Sequence, residues 1–258
     1  MTETVQGASF STPQDPPIRA GREAWDAGAG FYLIMVLIAS ALIVVGFLPS
    51  FYLKSVIQAP TPPLTLLTVT HGVVFSAWLV LFIAQASLIA ARRPAPHRQL
   101  GMLGVILFGA MISLGVSTAI TAGRLGHTPP AAPPALAFMA LPLSAMAGAL
   151  VLVGAALWNR RRSDWHKRLM LAALISMTGP GVHRILVPLG LAEQAITLVF
   201  VTAYVLLAVA MAYDFKVGRR IHPAYHLAAT VFVAVNVVVV WAFTSPAWMD
   251  FAKAITAS

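Results

Sequence analysis

Seven stretches of this chain are long and apolar enough to cross a lipid bilayer, and that one feature constrains the fold more than any other. They run over approximately residues 30–50, 64–91, 99–122, 135–158, 169–190, 194–214 and 226–246. A helix rises about 1.5 Å per residue, so about 20 apolar residues match the hydrocarbon layer. None of the runs alternates like a strand, and in lipid each segment must satisfy its own backbone N–H and C=O groups, which helices do. The expectation is an all-α polytopic transmembrane helix bundle of seven spans. Charged residues make up 10% of the chain, against about 25% in soluble domains, so little remains for a second, water-facing domain. The seven-helix domain is assigned to 30–250 and a short periplasmic C-terminal tail to 251–258. Residues 1–29 read as a disordered cytoplasmic tail. They hold Pro13, Pro16 and Pro17 and four acids before the first apolar run, unlike a secretory signal.

The basic residues orient the bundle. Arg92, Arg93 and Arg98 follow span two, and Arg160, Arg161, Arg162, Lys167 and Arg168 follow span four. Lys216, Arg219 and Arg220 follow span six, and Arg19 and Arg22 precede span one. That is thirteen of the 17 Lys and Arg on one side (3 + 5 + 3 + 2), with Lys54, Arg124, Arg184 and Lys253 on the other. The positive-inside rule then places the N-terminus in the cytoplasm of a bacterial-type inner membrane and the C-terminus outside. The same clustering argues against nucleic acid as the reason for the net charge of +9.

Two basic loops repeat one pattern. Arg92-Arg93-Pro-Ala-Pro-His97-Arg98-Gln-Leu100 and Arg161-Arg162-Ser-Asp-Trp-His166-Lys167-Arg-Leu169 share their spacing, and Arg219-Arg220-Ile-His222 is a weaker echo. The pattern fits a duplicated helix hairpin; membrane hairpins also gather such residues independently.

The inventory of reactive groups excludes several classes. With no cysteine, there is no disulfide, thiolate nucleophile or covalent c-type haem attachment. All eight acids lie in the tail or near span ends, which disfavours an ion-coupled pump. No span contains a lysine, so a retinal Schiff base has no amine. The methionines form no Met-x-x-Met cluster, and Gln85, Ser113, Ser117 and Asn236 read as interhelical hydrogen-bonding groups.

Two constellations remain. At the outer side, His71 opens span two, Arg124 closes span three, and span five carries Pro180-Gly181-Val-His183-Arg184. Pro180 lacks an N–H and should free the Ser176 carbonyl and break the helix. Counting about 1.5 Å per residue from the basic loops puts His71 about 31 Å up and His183 about 22 Å up. His71, His183, Arg184 and Arg124 are therefore candidates to line one outer pocket for haem b, copper or a quinone head group. The offset between the histidines weighs against their ligating one haem together. Alternatively, His71 bonds a neighbouring carbonyl and Arg184 snorkels. At the cytoplasmic side, His97, His166, His222 and His226 are candidate metal ligands beside Asp164, Asp214 and Tyr225. The i, i+4 spacing of His222 and His226 would place them on one helix face, although Pro223 disturbs that spacing and the arginines would repel a cation.

The segments Asp164-Trp-His166-Lys167-Arg168-Leu-Met170, Thr70-His71-Gly72 and His97-Arg98-Gln-Leu-Gly101 resemble helix openings in uncharacterised bacterial multi-pass membrane proteins. More remotely, the pattern is similar to small membrane proteins of haem–copper oxidase assembly. The resemblance covers about residues 64–190 and implies a haem, copper or respiratory-chain context, with His71, His97, His166 and His183 as the matching positions. Three functions fit: a redox or cofactor-binding membrane protein, an assembly subunit that contacts other membrane-protein subunits without chemistry of its own, and a small-molecule transporter. The bilayer is the one partner common to all three.

Overall fold

The computed structural model describes residues 17–57 and 61–257, with side chains from residue 28 onward. It is all helical among those residues: α1 (Pro17–Phe47), α2 (Leu66–Ala90), α3 (Pro94–Arg124), α4 (Ala135–Phe138), α5 (Ala140–Trp158), α6 (Ser163–Ser176), α7 (Gly179–Leu186), α8 (Ala195–Gly218), α9 (Pro223–Thr244) and α10 (Pro246–Ala257). Seven spans are long and apolar enough to cross a membrane, with α4–α5 and α6–α7 each forming one span. The protein is a multi-pass membrane protein. Side chains such as Val80 and Val240, both 66% exposed, face outward as lipid-facing residues do.

Prolines decide most of the boundaries. Pro94 and Pro223 sit at helix starts, where a missing N–H costs nothing, so α3 and α9 begin before their apolar runs. Pro49 lies in a π-turn, Leu48–Tyr52, that continues α1 and closes with Leu53 N–H donating to the Leu48 carbonyl at 2.8 Å. Span five breaks at Met177–Thr178, just before Pro180, as its sequence predicts. At the start of α2, Thr65 and Thr68 form a reciprocal capping box.

Helix reaches into both expected tails. The first helix starts at Pro17, so residues 17–29 extend span one as helix instead of forming a disordered tail. Proline is tolerated at a helix start, and the Ala-Gly-Arg-Glu-Ala-Trp run that follows is mostly helix-compatible; residues 1–16 lie outside the described residues. The end of the chain, expected as a tail over 251–258, belongs through Ala257 to α10. Pro246 opens that helix, and the Ser245 hydroxyl accepts from the Trp248 N–H at 3.3 Å.

The core lies around α6, whose Leu169 and Leu171–Ile175 are all buried among α1, α5, α8 and α9. The helices α2 and α3 form one hairpin, and α5 and α6 another. Two glycines set the position of the broken span. A Cβ on Gly181 would stand 2.5 Å from the Leu42 carbonyl oxygen, and one on Gly46 would strike the backbone of Gly181. The backbones of α1 and α7 touch there, as small residues allow in membrane bundles.

Candidate functional sites at the two ends of the bundle

Three basic loops meet at one end. Arg168 on α6 holds Asp214 on α8 with two parallel bonds, Nε to Oδ2 and Nη2 to Oδ1, each 2.7 Å. This bidentate pairing is the strongest geometry for a guanidinium and a carboxylate, and Asp214 is only 4% exposed. The carboxylate also accepts from the His222 backbone N–H at 3.3 Å. Arg168 donates to the Asp164 carbonyl and lies over the ring of Tyr225, whose hydroxyl is 3.2 Å from that of Tyr32 on α1. Lys167 sits over the Tyr32 ring, and Phe31 stacks on Tyr213 at 3.7 Å. Asp214 and Tyr225 stand among the polar residues that the sequence gathers at this end. Tyr32 and Tyr213 do not, because an aromatic residue at a span end reads as an interfacial anchor.

The four histidines of this end separate into distinct roles, and the expected His222–His226 pair is corrected. His222 caps α9 from outside the helix: its Nδ1 accepts from the Ala224 N–H at 3.1 Å, and its Nε2 lies 3.0 Å from the Asp164 carboxylate. Both ring nitrogens are engaged, while His226 is exposed on the first turn of α9. Proline at the helix start is the reason, since it puts His222 at the cap and out of i, i+4 register. His97 and His166 do meet, with ring centroids 6.3 Å apart and planes 84° to one another. Among the described residues, no group of three His, Asp or Glu side chains has metal-binding geometry.

At the opposite end, the four candidates divide three ways. Arg184 extends from α7 over the Phe47 ring of α1 at 4.2 Å and donates from Nη1 to the Pro180 carbonyl at 3.0 Å. The residue is exposed. It is within electrostatic reach of His71 on α2. His71 packs near Phe75 and against the Gly115 face of α3, and its Nδ1 is buried without a hydrogen-bond partner. The Ser50 hydroxyl in the adjoining π-turn is also buried and unpartnered.

His183 and Arg124 point elsewhere than Arg184 does. On α7, Gly181 faces α1 while Gly179 faces Val199 of α8. His183 follows Gly179 by four residues, which places it on the α8 side, about 160° from Gly181. It is buried, at 8% exposure, and its Nε2 has no partner. Arg124 bonds the Thr256 carbonyl of α10 at 3.0 Å and lines a separate open cavity of about 450 Å³ with Lys253 and Leu136. Of the four expected pocket residues, His71 lies within electrostatic reach of Arg184, His183 falls on the α8 side of α7, and Arg124 belongs to the α3–α10 contact. The causes are the helical periodicity of α7 and a C-terminal helix that the apolar run conceals.

Compared with known protein families, curated proteins and solved structures, the chain matches none.

Proposed function

We propose that this membrane protein binds a lipophilic carbonyl compound of the quinone class, with His71 and Arg184 holding the head group. The supporting observation is the unpartnered, buried His71 Nδ1 beside a guanidinium with one hydrogen bond from five N–H donors. Leaving the buried His71 nitrogen unpaired costs about 1–3 kcal/mol. A quinone carbonyl supplies an acceptor for it and for the guanidinium, and the arginine charge favours a reduced, anionic oxygen. Phe47 and Phe75 provide apolar flanks, and the ligand arrives through lipid. Copper fits this end less well, because Arg184 adds a positive charge and, among the described residues, no carboxylate pairs with it. In this reading the basic loops face the cytoplasm of a bacterial inner membrane, and the quinone site opens toward the outer leaflet.

A photoreactive quinone analogue, applied to the protein in nanodiscs, tests the proposal. Labelling should fall on α2 and α7 and be competed by an unlabelled short-chain quinone. Arg184→Ala should weaken it roughly 10- to 100-fold, the equivalent of about 1.5–3 kcal/mol for a charged hydrogen bond. Labelling confined to other helices, or indifferent to Arg184, would overturn the assignment.

A further inference from the structure

The pair of histidines at the basic end is independent of the quinone reading. His97 Nδ1 lies 3.4 Å from the Gln85 carbonyl oxygen, and His166 Nδ1 lies 2.9 Å from that of Ala156. A carbonyl oxygen only accepts, so each Nδ1 carries the hydrogen and each neutral ring keeps its lone pair on Nε2. This is the arrangement that outer hydrogen bonds impose on metal-ligating histidines, fixing both tautomer and ring orientation. It occurs twice, in the two loops that share the Arg-Arg-x-x-x-His spacing, and it brings the two rings side by side between hairpins α2–α3 and α5–α6.

The separation is that of two rings within reach of one metal ion. With a metal–imidazole bond of about 2.0–2.1 Å and about 1.1 Å from nitrogen to ring centre, two imidazoles on opposite sides of one metal have centres about 6.3 Å apart. At a tetrahedral angle the distance is about 5.2 Å. The observed 6.3 Å brings the rings close enough to share one metal ion. No third His, Asp or Glu side chain joins the pair among the described residues, which also disfavours a four-coordinate zinc site.

Charge narrows the choice further. Arg98 and Lys167 are the immediate sequence neighbours of the two histidines. Among the described side chains, the two acids of this end are already engaged, Asp214 by Arg168 and Asp164 by His222. A bare dication held by two neutral rings would face uncompensated positive charge. A monovalent ion, or a metal that brings its own negative charge, would face much less.

We infer that His97 and His166 form a two-imidazole site for a low-charge transition-metal centre, bound through their Nε2 atoms. Two sources supply that chemistry: monovalent copper, and the iron of a haem whose macrocycle and carboxylates carry the compensating charge.

The test loads the metal-free protein in nanodiscs with Cu(I) under reductant, with ferric haem, and with Zn²⁺, each separately. One of the first two should bind at one equivalent per chain, and Zn²⁺ should bind at least tenfold more weakly. Copper is then recognised by X-ray absorption showing two nitrogen neighbours, and haem by a six-coordinate low-spin spectrum. His97→Ala and His166→Ala should each weaken binding at least tenfold, whereas His226→Ala should leave it unchanged. Because an alanine variant could disturb the fold, His166→Met provides a second reading: a thioether ligand retains the metal but alters its spectrum. Failure of both copper and haem to bind stoichiometrically overturns the site. So does binding that survives the double alanine variant, or an unchanged spectrum in His166→Met.

Discussion

The two ends of the bundle handle their costly polar groups in opposite ways. At the basic end, Arg168, Asp214, Asp164 and His222 satisfy one another across α6, α8 and α9. At the other end, His71 and His183 each keep a buried ring nitrogen unpartnered, and Arg184 uses a single hydrogen bond. The backbones differ in the same sense. The satisfied end is made of regular helix ends, whereas the unsatisfied end has a π-turn in span one and a broken span five. A closed network holds helices together; an open one at an irregular backbone is where a ligand completes the structure. Within the basic end, the Nε2 atoms of His97 and His166 are the open positions, and the buried Tyr213 hydroxyl and Gln85 Oε1 are further exceptions.

The largest expected effect comes from opening the closed network. Asp214→Ala leaves Arg168 as an uncompensated, mostly buried cation and should cost about 3–5 kcal/mol, read as thermal unfolding in detergent. Arg168→Met combined with Asp214→Leu removes both charges and should recover most of that loss. If the single variant unfolds at the wild-type temperature, the network is not what holds this end.

Next comes the helix contact behind the open end. Gly181→Val would drive a side chain into the Leu42 backbone and should destabilise by at least the about 1–3 kcal/mol typical of overpacking, because backbone yields less than side chains do. Gly154→Ala is the matched control. Its Cβ meets nothing within 4 Å, so the better helix former should be neutral or stabilising by up to about 1 kcal/mol. Equal losses from the two would mean that α1 and α7 are not in backbone contact.

How much was legible beforehand follows from these same elements. Span number and the break before Pro180 could be read because apolar length and a missing N–H act locally. The meeting of His97 with His166 was foreshadowed by their shared loop motif. Which side of α7 carries His183 was not, because depth along a helix says nothing of azimuth, and azimuth depends on which neighbour packs where. Tyr32 was missed for a similar reason: its partner Tyr225 is 193 residues away. The helix α10 was hidden because residues 246–257 are amphipathic and short, and its anchors, Trp248 Nε1 to the Leu136 carbonyl and Arg124 to the Thr256 carbonyl, are long-range.

The smallest expected effect also discriminates most sharply between one open pocket and two separate sites. Arg124 lies at the same end as Arg184, and both are exposed arginines that donate to backbone carbonyls. They differ in surroundings, since Arg184 stands beside an unpartnered imidazole and Arg124 clips the end of α10. Arg124→Ala should therefore cost under about 1 kcal/mol of stability, as the loss of an exposed hydrogen bond does, and loosen the last turn of α10 in hydrogen exchange. Quinone labelling should stay at the wild-type level, while Arg184→Ala abolishes most of it without loosening α10. If Arg124→Ala instead depresses labelling as strongly as Arg184→Ala, the two arginines serve one ligand. The cavity along α10 would then be continuous with the His71 site, and the separation drawn between them would fail.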